Sequence, residues 1–108
     1  MPEPGDVVFI RFPGAVVTKM RPAIVVSSRS YHAARPDCIL ALVTSNVAAA
    51  TTAFDHALLD WASAGLDRPS AVRAYFVMAL ARNLNVVGQL TERDRLALAR
   101  CLPPALLE

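Results

Sequence analysis

Apolar residues along this chain fall into short runs of two kinds, and the difference between them predicts the architecture. Residues 6–12 (DVVFIRF) alternate, so that Val8, Ile10 and Phe12 share one face of an extended strand and Val7, Phe9 and Arg11 the other. Pro13-Gly14 ends that strand, and residues 13–20 form a connecting loop. Residues 23–27 (AIVVS) and 37–44 (DCILALVT) are β-branched or apolar almost throughout, the pattern of central strands covered on both faces. Between them, residues 28–36 are polar and basic around Tyr31. Arg35-Pro36 cannot continue a helix, because proline drives the preceding residue out of the α region, so a turn or a single helical turn is expected.

The second half is more broken. Residues 47–53 (VAAATTA) are small and suit a loop, residues 54–58 make a short alternating strand, and residues 59–64 read as a helical stretch stopped by Gly65. Residues 70–75, running on towards Met78, and residues 83–87 before Gly88 are two further strands. Thr91-Glu92-Arg93-Asp94 has capping-box spacing with Asp in place of Glu, opening a helix that Pro103-Pro104 must end. Five or six short strands, brief turns and one terminal helix predict a mainly β fold, a strongly curved sheet or small barrel. Strands do not alternate with long helices, so a Rossmann-like sheet is not expected. There is no internal repeat and no linker, and 108 residues make a single domain, 1–108.

Composition adds a subunit interface to this picture. The hydrophobic fraction is 55%, above the roughly 45–50% of a typical soluble domain, which leaves more apolar surface than so small a core absorbs. No run approaches the ~18 apolar residues of a spanning helix, and MPEPGD lacks the order of a signal peptide, so a soluble, cytoplasmic protein with no membrane association is expected. Cys38 and Cys101 lie far apart without CxxC spacing and are expected as buried reduced thiols, an adventitious disulfide being the alternative. The net charge is only +2, yet residues 7–36 hold Arg11, Lys19, Arg21, Arg29 and Arg35 and no acidic residue. That segment is either a positive face for an anionic ligand or an ordinary solvated surface.

Most enzyme classes are demoted by absence: there is no GxGxxG, Walker loop, GxSxG or HExxH, and no carboxylate cluster suited to magnesium. Two polar signals remain at the edges of apolar strands, Arg21-Pro22-Ala23 and Thr44-Ser45-Asn46.

At these residues the chain resembles the MazF/PemK family of toxins. Gly5-Asp6 stands before the first apolar strand, Arg21-Pro22-Ala23 leads through a strand to Ser27, and the next strand ends in Thr44-Ser45. Trp61 with Ala64-Gly65-Leu66, Ser70 with Val72-Arg73, and Gly88 with Leu90 follow in order, so the likeness runs from about Gly5 to Leu102. The resemblance implies a small SH3-like barrel of the CcdB/PemK kind with added helices and a C-terminal helix, paired as a twofold homodimer. It implies a toxin of a type II toxin–antitoxin system that cuts single-stranded RNA by attack of a ribose 2′-hydroxyl on the adjacent phosphate, with Arg21 and Thr44 as catalytic residues. Lys19, Ser45, Arg11 and Arg29 are the candidate RNA-binding residues. A cognate antitoxin segment, acidic or amphipathic, is the implied partner.

The residue types suit that chemistry. Charge builds on phosphate oxygens in the transition state, and a guanidinium offers a rigid, permanently ionised fork of donors. The Thr44 and Ser45 hydroxyls can donate to a phosphate oxygen but are too weakly basic to remove a proton unaided. Since the nucleophile belongs to the substrate, neither metal nor cofactor is expected.

The likeness frays in two places. Tyr75-Phe76 stand where family members often carry Asp-Gln, and the loop over 13–20 has no carboxylate, which leaves the general base open. Two other readings follow: a non-enzymatic toxin that binds gyrase as the CcdB group does, or a catalytically silent antitoxin-binding homologue. His32 and His56 are expected to be structural. Tyr31, Phe54 and Tyr75 are expected in the core, with stacking on bases as the alternative.

Overall fold

The computed structural model describes residues 1–13 and 18–107, and the side chains of all of these except Phe12, Pro13 and Thr18. The connection expected over 13–20 therefore lies largely outside the described residues. Six strands follow in chain order: β1 (Asp6–Pro13), β2 (Thr18–Val25), β3 (Asp37–Thr44), β4 (His56–Ala57), β5 (Ala71–Leu80) and β6 (Val86–Gln89). Helix α1 (Arg29–Ala34) links β2 to β3, and α2 (Glu92–Cys101) follows β6.

All strand pairings are antiparallel, in the order β4-β5-β3-β2-β1-β6. The result is a curled half-barrel with β4 and β6 at its edges. The apolar runs occupy the middle, as expected: β3 has the bounds read from the sequence, and Ala23, Ile24 and Val25 of β2 are wholly buried.

Successive residues of these central strands feed two cores. Val7, Ile24, Ala41, Val43 and Val72 face Leu98 and Leu102 of the α2 end, together with Leu58, Leu66 and Leu90. Val8, Ala23, Val25, Cys38 and Leu40 face the other way, partly covered by Ile10, Val77 and Leu84. Val7 and Val8 are thus both buried, so β1 at its start is two-faced, and alternation gives way to complete coverage.

Several expected boundaries move. β2 begins at Thr18, because it pairs with β1 from Val7↔Ile24 to Pro13↔Thr18 and carries its polar residues into the ladder. The strand expected over 54–58 contracts to His56–Ala57, since the Asp55 carboxylate gathers the Thr52 N–H and hydroxyl into a turn just before it. Residues 59–64 form turns and no helix. The Leu59 and Asp60 N–H groups donate to the Asp94 carboxylate, 2.9 and 2.8 Å away. Gly65 does take the positive φ of a stop, +92°.

The capping box is not made either. Thr91 is the N-cap of α2, but its hydroxyl donates to Asp60, while Asp94 turns away to the 56–60 segment. β6 starts three residues later than expected, and its Gly88 presses on the 61–66 turns so closely that a Cβ there would meet the Ala64 carbonyl oxygen at 1.9 Å. Among the described residues, no helix is long and apolar enough to cross a membrane.

Candidate nucleic-acid interface

The β1–β2 hairpin, the end of β3 and the turn before β5 enclose an open cleft of about 580 Å³. Its apolar lining is Phe9, Met20, Pro22, Val43 and Leu66. The polar lining is Lys19, Arg21, Asp67 and Arg68 with the hydroxyls of Ser45 and Ser70.

Arg21 lies opposite Ile10 in the hairpin and is exposed. Among the described residues, neither Arg21 nor Lys19 makes an ion pair, so both charges are available to an incoming anion.

Thr44 ends β3, half-buried, and pairs with Ala71 of β5. On its other side β3 pairs with β2 through Ala23↔Leu42, Ile24↔Ala41 and Val25↔Leu40. The ladder stops there, two residues short of Arg21 on β2 and of Thr44 on β3, so both residues lie just beyond the same end of the β2–β3 pairing. Thr44 Oγ1 accepts the Asn46 N–H at 3.1 Å, which ties down the strand end and leaves the hydroxyl proton free to donate. Thr44 itself does not line the cleft, whereas the adjacent Ser45 does and is exposed.

The other candidates stand apart. Arg11 is an exposed β1 residue opposite Met20, outside the cleft. Arg29 opens α1 and is engaged by Glu3 in an ion pair, also away from the cleft. The cationic stretch is therefore divided: Lys19 and Arg21 share one surface with the Ser45 hydroxyl, and Arg11 and Arg29 do not.

Both histidines are hydrogen-bonded within the fold. His32 Nε2 hydrogen bonds Ser27 Oγ, which also accepts the Ile39 N–H, and His56 Nε2 donates to Asp94 Oδ1 at 2.8 Å. Burial pushes the Asp94 carboxyl up, but hydrogen bonds from the Leu59 N–H, His56 and the Asp60 N–H outweigh it and hold the group below the ordinary carboxylate value. Asp60 is drawn down to about 2 by the Arg93 guanidinium and the Thr91 hydroxyl. Both cysteines are free thiols, and burial pushes both up; Cys38 is buried and Cys101 only half-buried.

The aromatics depart from expectation. Tyr31 donates its hydroxyl to Asp37, but Phe54 and Tyr75 are 38% and 49% exposed and line a second hollow with Arg73 and Leu106. Alternation along β5 explains the departure: Tyr75 faces outward while its neighbour Phe76 packs against the α2-side core.

Sequence reasoning missed Asp67 and Arg68. They sit on the turn leading to Ser70, whose apolar neighbours imitate a helix, and no local spacing joins them to Arg21.

The family model for PemK-like, MazF-like toxins of type II toxin-antitoxin systems matches residues 3–106. Comparison with curated proteins gives no match. An endoribonuclease in complex with its cognate antitoxin from Mycobacterial species superposes with a TM-score of 0.78 at 19% identity, covering 97% of this chain and 94% of that one. The Mycobacterium tuberculosis toxin MazF-mt6 gives 0.73 at 20% identity, with 93% and 94% covered. A chain of the MazE-MazF complex from Deinococcus radiodurans gives 0.73 at 19%, with 96% and 94% covered. At such identities these structures speak to the shared fold.

Proposed function

Because the chain belongs to the PemK-like, MazF-like toxin family of type II toxin–antitoxin systems, we propose that it is an endoribonuclease for single-stranded RNA that needs no metal. The observation that carries this reading is the Arg21 guanidinium, which makes no ion pair among the described residues, on an open cleft that Ser45 also lines, just past the end of β3 at Thr44. An anionic backbone is the ligand such a cleft suits, since Lys19 and Arg21 are cations without partners among the described residues and Phe9 and Met20 offer apolar surface for a base.

In the proposed reaction the ribose 2′-oxygen attacks the adjacent phosphorus and the bond to the 5′-oxygen breaks. A 2′,3′-cyclic phosphate and a 5′-hydroxyl remain. Arg21 stabilises charge growing on the phosphate oxygens, and Thr44 donates its free hydroxyl proton to one of them. Lys19 and Ser45 hold the strand in the cleft, and Arg11 meets it further along β1; Arg29, engaged by Glu3, contributes least.

The active form is a homodimer in the cytoplasm. Exposed Met78 and Leu80 on β5, with Val86 and Val87 on β6, offer apolar surface for a second copy. The cognate antitoxin covers the cationic cleft with an acidic segment and so excludes RNA.

Incubating antitoxin-free protein with mixed-sequence single-stranded RNA in EDTA tests this. Cleavage with cyclic phosphate ends, lost in Arg21→Ala, is the expected result. Intact RNA would overturn it; gyrase-linked DNA breaks in cells with RNA whole would favour the CcdB-like reading, and toxicity indifferent to Arg21→Ala a catalytically silent homologue.

A further inference from the structure

We propose that Asp67 is the general base of the cleft, receiving the proton of the ribose 2′-hydroxyl as that oxygen attacks phosphorus; the assignment rests on the ribonuclease reading above. The attack requires a proton acceptor, and Arg21, Thr44 and Ser45 are donors too weakly basic for the task.

Elimination among the described residues leaves one acceptor. No carboxylate occurs in residues 7–36, so the hairpin beyond Asp6, the chain connecting its strands and α1 supply none, and Asp6, at the start of β1, is buried and accepts the Glu3 N–H. Both histidines are engaged away from the cleft, His32 by Ser27 and His56 by Asp94. Asp37 accepts from Tyr31, Asp60 from Arg93 and Thr91, and Asp94 from two backbone N–H groups and His56. Asp55 faces Arg73 in the second hollow. Glu3 pairs with Arg29 and Glu92 with Arg95, both away from the cleft. Among the described residues Asp67 alone of the carboxylates lines the cleft, with its side chain 83% accessible and its neighbour Arg68 as ion-pair partner, at 3.3 Å.

Its turn is anchored on both sides. Leu66 is buried and donates its N–H to the Trp61 carbonyl, and buried Ser70 donates its hydroxyl to the Arg68 carbonyl at 2.9 Å. The carboxylate is thus held at the cleft without being consumed by the fold. Electrostatics sharpens the argument: the other charged groups facing it, Lys19, Arg21 and Arg68, are cations, and a negative group among them weakens the attraction for phosphate. A carboxylate there opposes binding and serves chemistry.

The step balances within the substrate and solvent. The proton passes from O2′ to an Asp67 oxygen as the O2′–P bond forms, and the P–O5′ bond breaks with O5′ taking a proton from water. The carboxylic acid then returns its proton to the hydroxide so produced.

Single-turnover cleavage of a defined single-stranded RNA in EDTA, over a range of pH, tests the assignment with wild type, Asp67→Asn and Asp67→Glu. Binding is read in parallel with an uncleavable 2′-O-methyl RNA of the same sequence. Asp67→Asn is expected to cleave at least ~100-fold more slowly and to lose the acid limb of the rate profile. It should bind the uncleavable RNA as tightly as wild type or more so, and Asp67→Glu should recover part of the rate. Cleavage by Asp67→Asn at the wild-type rate, or a loss traced wholly to weaker binding with the acid limb intact, overturns the assignment while leaving the ribonuclease reading in place. A wild-type protein that leaves RNA whole overturns both.

Discussion

Replacing Asp94 by alanine tests how the 56–60 segment is held to the sheet and to α2. Asp94 is 0% exposed and accepts three hydrogen bonds, from the Leu59 N–H at 2.9 Å, the Asp60 N–H at 2.8 Å and His56 Nε2 at 2.8 Å. Alanine removes every acceptor at once. Each orphaned buried donor costs about 1–3 kcal/mol, and His56, whose side chain is 18% exposed, finds water more readily than the two backbone groups. The two backbone donors and a discounted histidine together cost about 3–5 kcal/mol. That is a large share of the ~5–15 kcal/mol available to a domain of this kind. Urea denaturation at fixed protein concentration reads the loss, and with a slope of about 1–3 kcal/mol per molar the midpoint should fall by about 1 M or more. Asp94→Asn keeps one acceptor oxygen and should lose about half as much. Because the folded carboxyl lies below its ordinary value, its contribution is present above about pH 4 and disappears as pH falls through the folded value. The gap between wild type and variant should therefore narrow in acid. A midpoint unchanged at neutral pH, or a gap that persists undiminished in acid, would refute the reasoning.

The remaining expectations are more local. Gly88→Ala sets a methyl 1.9 Å from the Ala64 carbonyl oxygen and 2.8 Å from its carbon, both backbone atoms, so thermal melting should show a loss of at least about 1–3 kcal/mol. The Asp60 carboxyl should titrate near the value of about 2 in an NMR pH series, and Arg93→Ala should raise it towards the usual ~3.9. Since that group too is depressed, the stability it lends is complete above about pH 4 and fades as pH falls towards 2. Arg21→Ala should slow RNA cleavage by about a hundredfold or more, and Arg21→Lys should recover binding better than rate, because lysine restores charge without the planar fork.

The central strands were legible because their burial depends on the residues themselves. A run such as DCILALVT has no face to give to water, so β3 and the buried part of β2 had to be covered on both sides wherever they packed. Arg21 and Thr44 were legible as polar residues abutting those runs, and the order of the surrounding motifs pointed to the family. The region over 54–66 was not. Its helix-like apolar spacing resolves into turns, and the Leu59 and Asp60 N–H groups there are held by Asp94, some 35 residues away in the chain. The capping box failed for the same reason, since both of its side chains found partners across the fold.

Sequence alone, then, determined that the central apolar segments are extended and buried, because apolar runs act over a few neighbours and need no knowledge of what lies across from them. It also determined that residues 7–36 contain no carboxylate. Which charges share a surface was decided by tertiary structure: the β2–β3 pairing leaves Arg21 and Thr44 just beyond the same end of the ladder, α1 carries Arg29 off to Glu3, and a turn pinned by Leu66 and Ser70 brings Asp67 to the cleft. Those juxtapositions rest on pairings between residues distant along the chain, and local patterning carries no trace of them.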